Sequence, residues 1–113
     1  VIEEVAPVLL RPGISEARLC SEICTCMLDR GAMGISRFNQ PAAEDVLGVA
    51  SFSENSLRAS ALDSPSGNIG TCIAMKSIGS SARCLKDGDT VLLDIPCGYN
   101  GYHTDKSIAF SRP

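Results

Sequence analysis

An aspartate inside an apolar, β-type run constrains this chain more than any other feature. Thr90-Val91-Leu92-Leu93-Asp94-Ile95 reads as a buried strand, and a carboxylate is out of place in it. Pro96 then removes one ladder donor, which points to a sheet edge or a bulge. Gly98-Tyr99-Asn100-Gly101 reads as a hairpin loop, and Tyr102 to Phe110 as the return strand, which carries Asp105. If residues 98–101 form a four-residue loop, Asp94 and Asp105 stand directly opposite each other. If Asn100-Gly101 alone makes the turn, they are diagonal neighbours on the same face. Directly opposed Cβ atoms lie about 4.5–5.5 Å apart, where like charges destabilise. Either one carboxylate holds a proton or a cation sits between them. Two carboxylates around a divalent ion is a metal-site arrangement. The plainer alternative makes Asp94 a strand-end residue with a hydrogen-bond partner.

The first third of the chain is helical in pattern. Val1 to Leu10 reads as the tail of a helix, with Ile2, Val5, Ala6 and Leu9 or Leu10 on one face. Pro7 distorts that helix unless it falls in the first turn, and Pro12-Gly13 stops it. Ser15 suits the N-cap of a second helix over about 15–30, with Glu16 at the positive end of its dipole. Cys20, Ile23, Cys24 and Met27 form its apolar face, and Gly31 suits its C-terminal cap. Val46 to Phe52 suits a strand. Residues 53–71 read as a long irregular loop, of the kind that is more often functional or mobile than idle. A short extended piece fits Ile73 to Ile78, and Lys86-Asp87-Gly88-Asp89 is a turn.

Composition narrows the class. A chain of 113 residues supports one small core. With 44% hydrophobic residues disorder is not expected, and with 4% aromatics the core must be aliphatic. The net charge of -3, with no Lys/Arg cluster, argues against nucleic acid or an anionic membrane as partner. No apolar run approaches the roughly 18–20 residues of a membrane span. Of the six cysteines, Cys24 and Cys26 form a CxC, no CxxC exists, and the spacing suits zinc poorly. Free thiols in a reducing, cytoplasmic setting are the main reading, and a disulfide framework is the lesser one.

Leu85-Lys86-Asp87-Gly88-Asp89-Thr90-Val91-Leu92-Leu93-Asp94, followed by Gly101-Tyr102-His103-Thr104-Asp105, resembles the pita-bread metallopeptidases. These are the aminopeptidase P, Xaa-Pro dipeptidase, methionine aminopeptidase and creatinase family, with their "GD-x-V-x-x-D" strand and "GY-x-x-D" return strand. Leu10-Arg11-Pro12-Gly13-Ile14-Ser15-Glu16 is similar to the family's helix entry. Arg37-Phe38-Asn39 and Gly79-Ser80-Ser81-Ala82-Arg83 fit some of its Xaa-Pro peptidase-like branches.

The resemblance implies an α+β fold, helices packed on a small antiparallel sheet, with residues 1–113 forming the first half of a catalytic domain in a longer parent. It implies that Asp94 and Asp105 are two of five ligands to two divalent ions (manganese, cobalt or zinc). The other ligands, one His and two Glu, would come later in the parent, so the 113 residues alone would carry no catalytic residue and no activity. A peptide would be the parent's substrate. The bare face of the half-domain would be covered by the second half or by a second copy in a homodimer. Two departures weigh toward a non-catalytic homologue that binds a peptide, a small ligand or a partner protein. Ser77 stands where the family usually has a His, and Asp105-Lys106-Ser107-Ile108-Ala109-Phe110 departs from the family's return strand.

The remaining candidates read more plainly. His103 shares the Asp105 face by strand alternation, but its family position is not a ligand. Asp87 and Asp89 are turn formers. Lys106 is an exposed charge or, as the lesser reading, the partner of a carboxylate, Cys97 a thiol near the hairpin tip, and Tyr99 and Tyr102 packing residues.

Overall fold

A computed structural model describes residues 2–34, 36–37, 44–45, 48–58 and 79–111. Its elements are α1 (Ala6–Leu9), α2 (Glu16–Asp29), β1 (Ser36–Arg37), β2 (Glu44–Asp45), β3 (Val49–Phe52), a 3-10 turn (Ser53–Leu57), β4 (Thr90–Tyr99) and β5 (Tyr102–Ser111). The helices pack on a three-stranded antiparallel sheet of order β3-β4-β5, so the fold is α+β, consistent with half of a pita-bread domain. β1 and β2 pair in a separate two-stranded ribbon that periodicity did not suggest.

α1 is a single turn and not the ten-residue stretch expected. Pro7 sits in its first turn, the one place where a missing N–H costs nothing. α2 begins where the caps put it: the Ser15 hydroxyl accepts from Arg18 N at 3.1 Å. It ends in a Schellman arrangement, with Gly31 N donating to Leu28 O and Ala32 N to Met27 O, both at 3.0 Å. Gly31 has φ +92, which a side chain would resist.

The core lies between α2 and one face of the sheet. Leu19, Cys20 and Ile23 meet Ala50 and Phe52 of β3 and Val91, Leu93 and Ile95 of β4, with Ala6, Ile14 and Leu85 closing the edges. Burying a side chain of Phe52's size contributes about 1.5–3 kcal/mol. The helix stripe is displaced from the expected one: Cys24 and Met27 are only half-buried, while Leu19 and Glu16 are buried. Cys20, Cys24, Cys26, Cys84 and Cys97 form no disulfide among the described residues. Burial pushes the Cys20 thiol up to about 12, so it behaves as a small apolar group.

β4 is longer than expected, and its Tyr99 pairs with Tyr102 across a two-residue turn. Asn100 (φ 50) and Gly101 (φ 83) are both left-handed, the type I′ geometry that matches strand twist. The four-residue loop is therefore excluded. No bulge occurs at Pro96, which lies two residues beyond the last rung that β3 makes with β4, Val49↔Asp94. Counted from the turn, Pro96↔Asp105 is a non-hydrogen-bonded pair, so the missing N–H would have pointed away from β5.

The strand expected over Val46 to Phe52 is observed as Val49–Phe52, with residues 46–47 outside the described set. The start of the expected loop is the 3-10 turn. Ser77, Cys72, the Phe38-Asn39 pair and the piece from Ile73 to Ile78 lie outside the described residues. No helix among the described residues is long and apolar enough to cross a membrane.

Candidate metal centre

Alternation along β4 separates two faces. Val91, Leu93 and Ile95 enter the core, and Leu92, Asp94 and Pro96 point to the opposite side of the sheet, away from α2. The register places Ser107 opposite Asp94 and Asp105 opposite Pro96. Asp94 and Asp105 are thus diagonal neighbours on one face, the second of the two geometries open from sequence.

Asp94 is half-buried and accepts a hydrogen bond from the Ser107 hydroxyl at 2.8 Å on Oδ1. Asp105 is exposed, yet its carboxyl is held above the ordinary aspartate value. Partial burial of the carboxyl is the first cause, and the charge and hydrogen bonding of Asp94 follow. The two acids therefore sense each other directly. A cation between them would satisfy both, and all-oxygen donation suits a divalent ion.

His103 is on the same face, exposed, opposite Gly98. Ser51 also points to this side, opposite Leu92, and its buried Oγ has no hydrogen-bond partner among the described residues. Among the described residues no group of three His, Cys, Asp or Glu side chains is arranged to hold a metal. Lys106 points to the other face and is not a free charge: its ammonium pairs with Glu3. Cys97 is half-buried, and Tyr99 and Tyr102 are exposed at the hairpin tip.

A second carboxylate site escaped the sequence reading. Glu16 is not merely a charge near the helix dipole; it is fully buried. Its Oε2 accepts from Phe52 N at 2.7 Å and its Oε1 from Ser80 N at 2.9 Å, while Asn55 Nδ2 donates to both at 3.1 and 3.2 Å. Burial raises its carboxyl above the ordinary value, and these donors and the Arg83 charge pull back against that. Gly79 passes so close that a Cβ there would stand 2.8 Å from Glu16 Cβ and 2.7 Å from Ala50 O.

Next to it, Arg83 spans Glu54 and Asp89, each at 2.8 Å, with its guanidinium 5.9 Å over the Phe52 ring. Asp89 forms the expected turn, accepting from Lys86 N at 2.8 Å, and it also anchors this pair. Arg83 holds the Asp89 carboxyl down at about 2. The signal for Glu16 was present in the sequence: Glu16, Leu19, Cys20 and Ile23 share one helical stripe, and an acid on an apolar stripe needs buried donors.

A family model described as metallopeptidase family M24 matches residues 1–112. No curated protein and no solved structure matches the chain.

Proposed function

Because this chain belongs to metallopeptidase family M24, we propose that it is part of a divalent-metal-dependent hydrolase acting at the N-terminal end of peptides, at Xaa-Pro bonds, and that Asp94 and Asp105 are two of its metal ligands. One observation carries the site: two carboxylates on the sheet face opposite the core, with the proton affinity of Asp105 raised in part by Asp94. Divalent ions held there would supply Lewis acidity toward a scissile carbonyl and toward water. The chain's own contribution is to fix the donors. The type I′ turn sets the register, the Ser107 hydroxyl orients Asp94, and the apolar face beneath keeps both acids directed outward.

In this reading the remaining ligands, a His and two Glu, are contributed by polypeptide outside residues 1–113. That sheet face is covered by that polypeptide or by a second copy. The second reading, a homologue that binds peptide or partner without hydrolysis, draws on Ser77 in the place of the usual His.

Calorimetric titration of the 113-residue chain with manganese, cobalt or zinc tests the ligand assignment. A ligand at a hundred times its Kd stabilises by about 2.7 kcal/mol, so thermal unfolding should shift upward with metal and return with chelator. Asp94→Asn and Asp105→Asn should each abolish the shift. Equal metal binding by either variant and the parent chain would remove Asp94 and Asp105 from the site. Metal-dependent Xaa-Pro hydrolysis by the isolated chain would overturn the assignment of the other ligands to outside polypeptide.

A further inference from the structure

We infer that Asn100-Gly101 is a self-modification site, at which the hairpin tip converts spontaneously to isoaspartate and so loses the turn that aligns Asp94 with Asp105. Asn100 is exposed at the first central position of the turn, with φ 50. Its neighbour is a glycine, with open space around the position of a Cβ. No side chain at residue 101 therefore obstructs approach of its backbone nitrogen to the Asn100 side chain.

The chemistry needs only water. The Gly101 nitrogen forms a bond to the Asn100 side-chain carbonyl carbon, the amide C–N bond breaks, and ammonia leaves with the nitrogen's proton. Water then opens the resulting five-membered imide at either carbonyl, giving aspartate or isoaspartate. Asparagine is among the thermally labile residues for this kind of reason.

Two contacts restrain the step. Gly101 N–H donates to Met33 Sδ at 3.3 Å, and Met33 N donates to Gly98 O at 2.8 Å. Together they clip the tip to the chain that follows α2. Sulfur is a weak acceptor, so the nucleophile is held loosely. The left-handed turn must also relax before the nitrogen reaches the carbonyl. The conversion rate thus reads out the opening of the tip.

The consequence reaches the acid pair through register. Isoaspartate routes the main chain through the former side chain and adds a backbone atom to a two-residue turn. A type I′ turn tolerates no such insertion, and every rung from Tyr99↔Tyr102 to Pro96↔Asp105 depends on it. Only this last consequence, read through metal, rests on the proposed ligand role of Asp94 and Asp105.

The test is storage of the 113-residue chain at body temperature and mildly alkaline pH, followed by peptide mapping. The peptide containing Asn100 should gain one mass unit and split into two products, with isoaspartate the larger. Asn55, buried and followed by Ser56, should stay unchanged. Met33→Leu should speed conversion severalfold. The aged fraction should lose the cross-strand proton contacts between Asp94 and Ser107, a readout that needs no metal, and Asn100→Asp should keep them. Absence of conversion at Asn100, or conversion no faster than at Asn55, would overturn the modification site. Cross-strand contacts that survive in purified isoaspartate protein, or that Asn100→Asp also loses, would overturn the register mechanism. If the contacts are lost while metal binding was never present, the ligand assignment fails and this inference stands.

Discussion

Glu16 and the Asp94/Asp105 pair are both acids set in apolar patterns, and the fold treats them oppositely. Glu16 is enclosed, with two backbone amides and the Asn55 amide donating to it and, among the described residues, no acid among its hydrogen-bond partners. Asp94 and Asp105 stand on the sheet face opposite the core, half-buried and exposed respectively, with the Ser107 hydroxyl donating to Asp94 and the Lys106 backbone N–H to Asp105. A buried acid whose oxygens are all satisfied is a structural tie: it joins the start of α2, the end of β3 and the segment after Gly79. An acid pair that raises one member's proton affinity has capacity left for something else. Burial alone would have ranked Glu16 first.

Removing the tie should have the largest effect. Glu16→Ala leaves three buried donors without an acceptor and a cavity behind. Breaking a buried charged network of this kind costs about 3–5 kcal/mol, measurable by urea unfolding. Glu16→Gln keeps the shape but turns an NH₂ toward donors, and should cost about 1–3 kcal/mol. If Glu16→Gln were neutral, the contrast between the two sites would collapse.

The pH dependence sharpens the same contrast. Glu16 has a folded-state pKa above its unfolded value, so the fold binds its proton first as pH falls. Its contribution to stability is therefore present below the unfolded value and is lost as pH rises through the folded one. Asp89 and Glu22, both held down to about 2 by arginines, contribute in the opposite sense. Their stabilisation is present above the ordinary carboxyl range and is lost as pH falls toward 2. Urea midpoints taken from neutral pH downward should first rise or hold and then fall. In Glu16→Gln the early part should be flattened, while the acid-side loss remains.

The smallest effect belongs to the aspartate pair. Asp105→Asn removes a like-charge contact and should leave stability unchanged or raise it by about 0.2–1 kcal/mol without metal. A loss comparable to that of Glu16→Ala would mean that the pair is a structural tie as well.

Much of this was legible in the residues. Ser15 and Gly31 bounded α2 because caps are local hydrogen-bond requirements. Asn100-Gly101 was one of two hairpin ends open from the sequence, and it is the observed one because both residues tolerate the positive φ of a type I′ turn. That turn in turn placed Asp94 and Asp105 on one face, since strand alternation leaves no freedom once the register is set. The face of α2 was only partly legible: the apolar residues were visible, but which ones the sheet would cover was not, and Leu19 with Glu16 displaced Cys24 and Met27.

Local pattern determined the caps and the shared face of the two aspartates, because each depends on neighbours within a few residues, but it left two hairpin registers between which the structure decided. Only the tertiary structure decided that Glu16 is buried and that Arg83 bridges Glu54 and Asp89. The donors that make the Glu16 site affordable, Phe52 N, Asn55 and Ser80 N, lie between 36 and 64 positions away in the chain. A charge can be enclosed only where such distant groups converge on it, and no local spacing records that convergence.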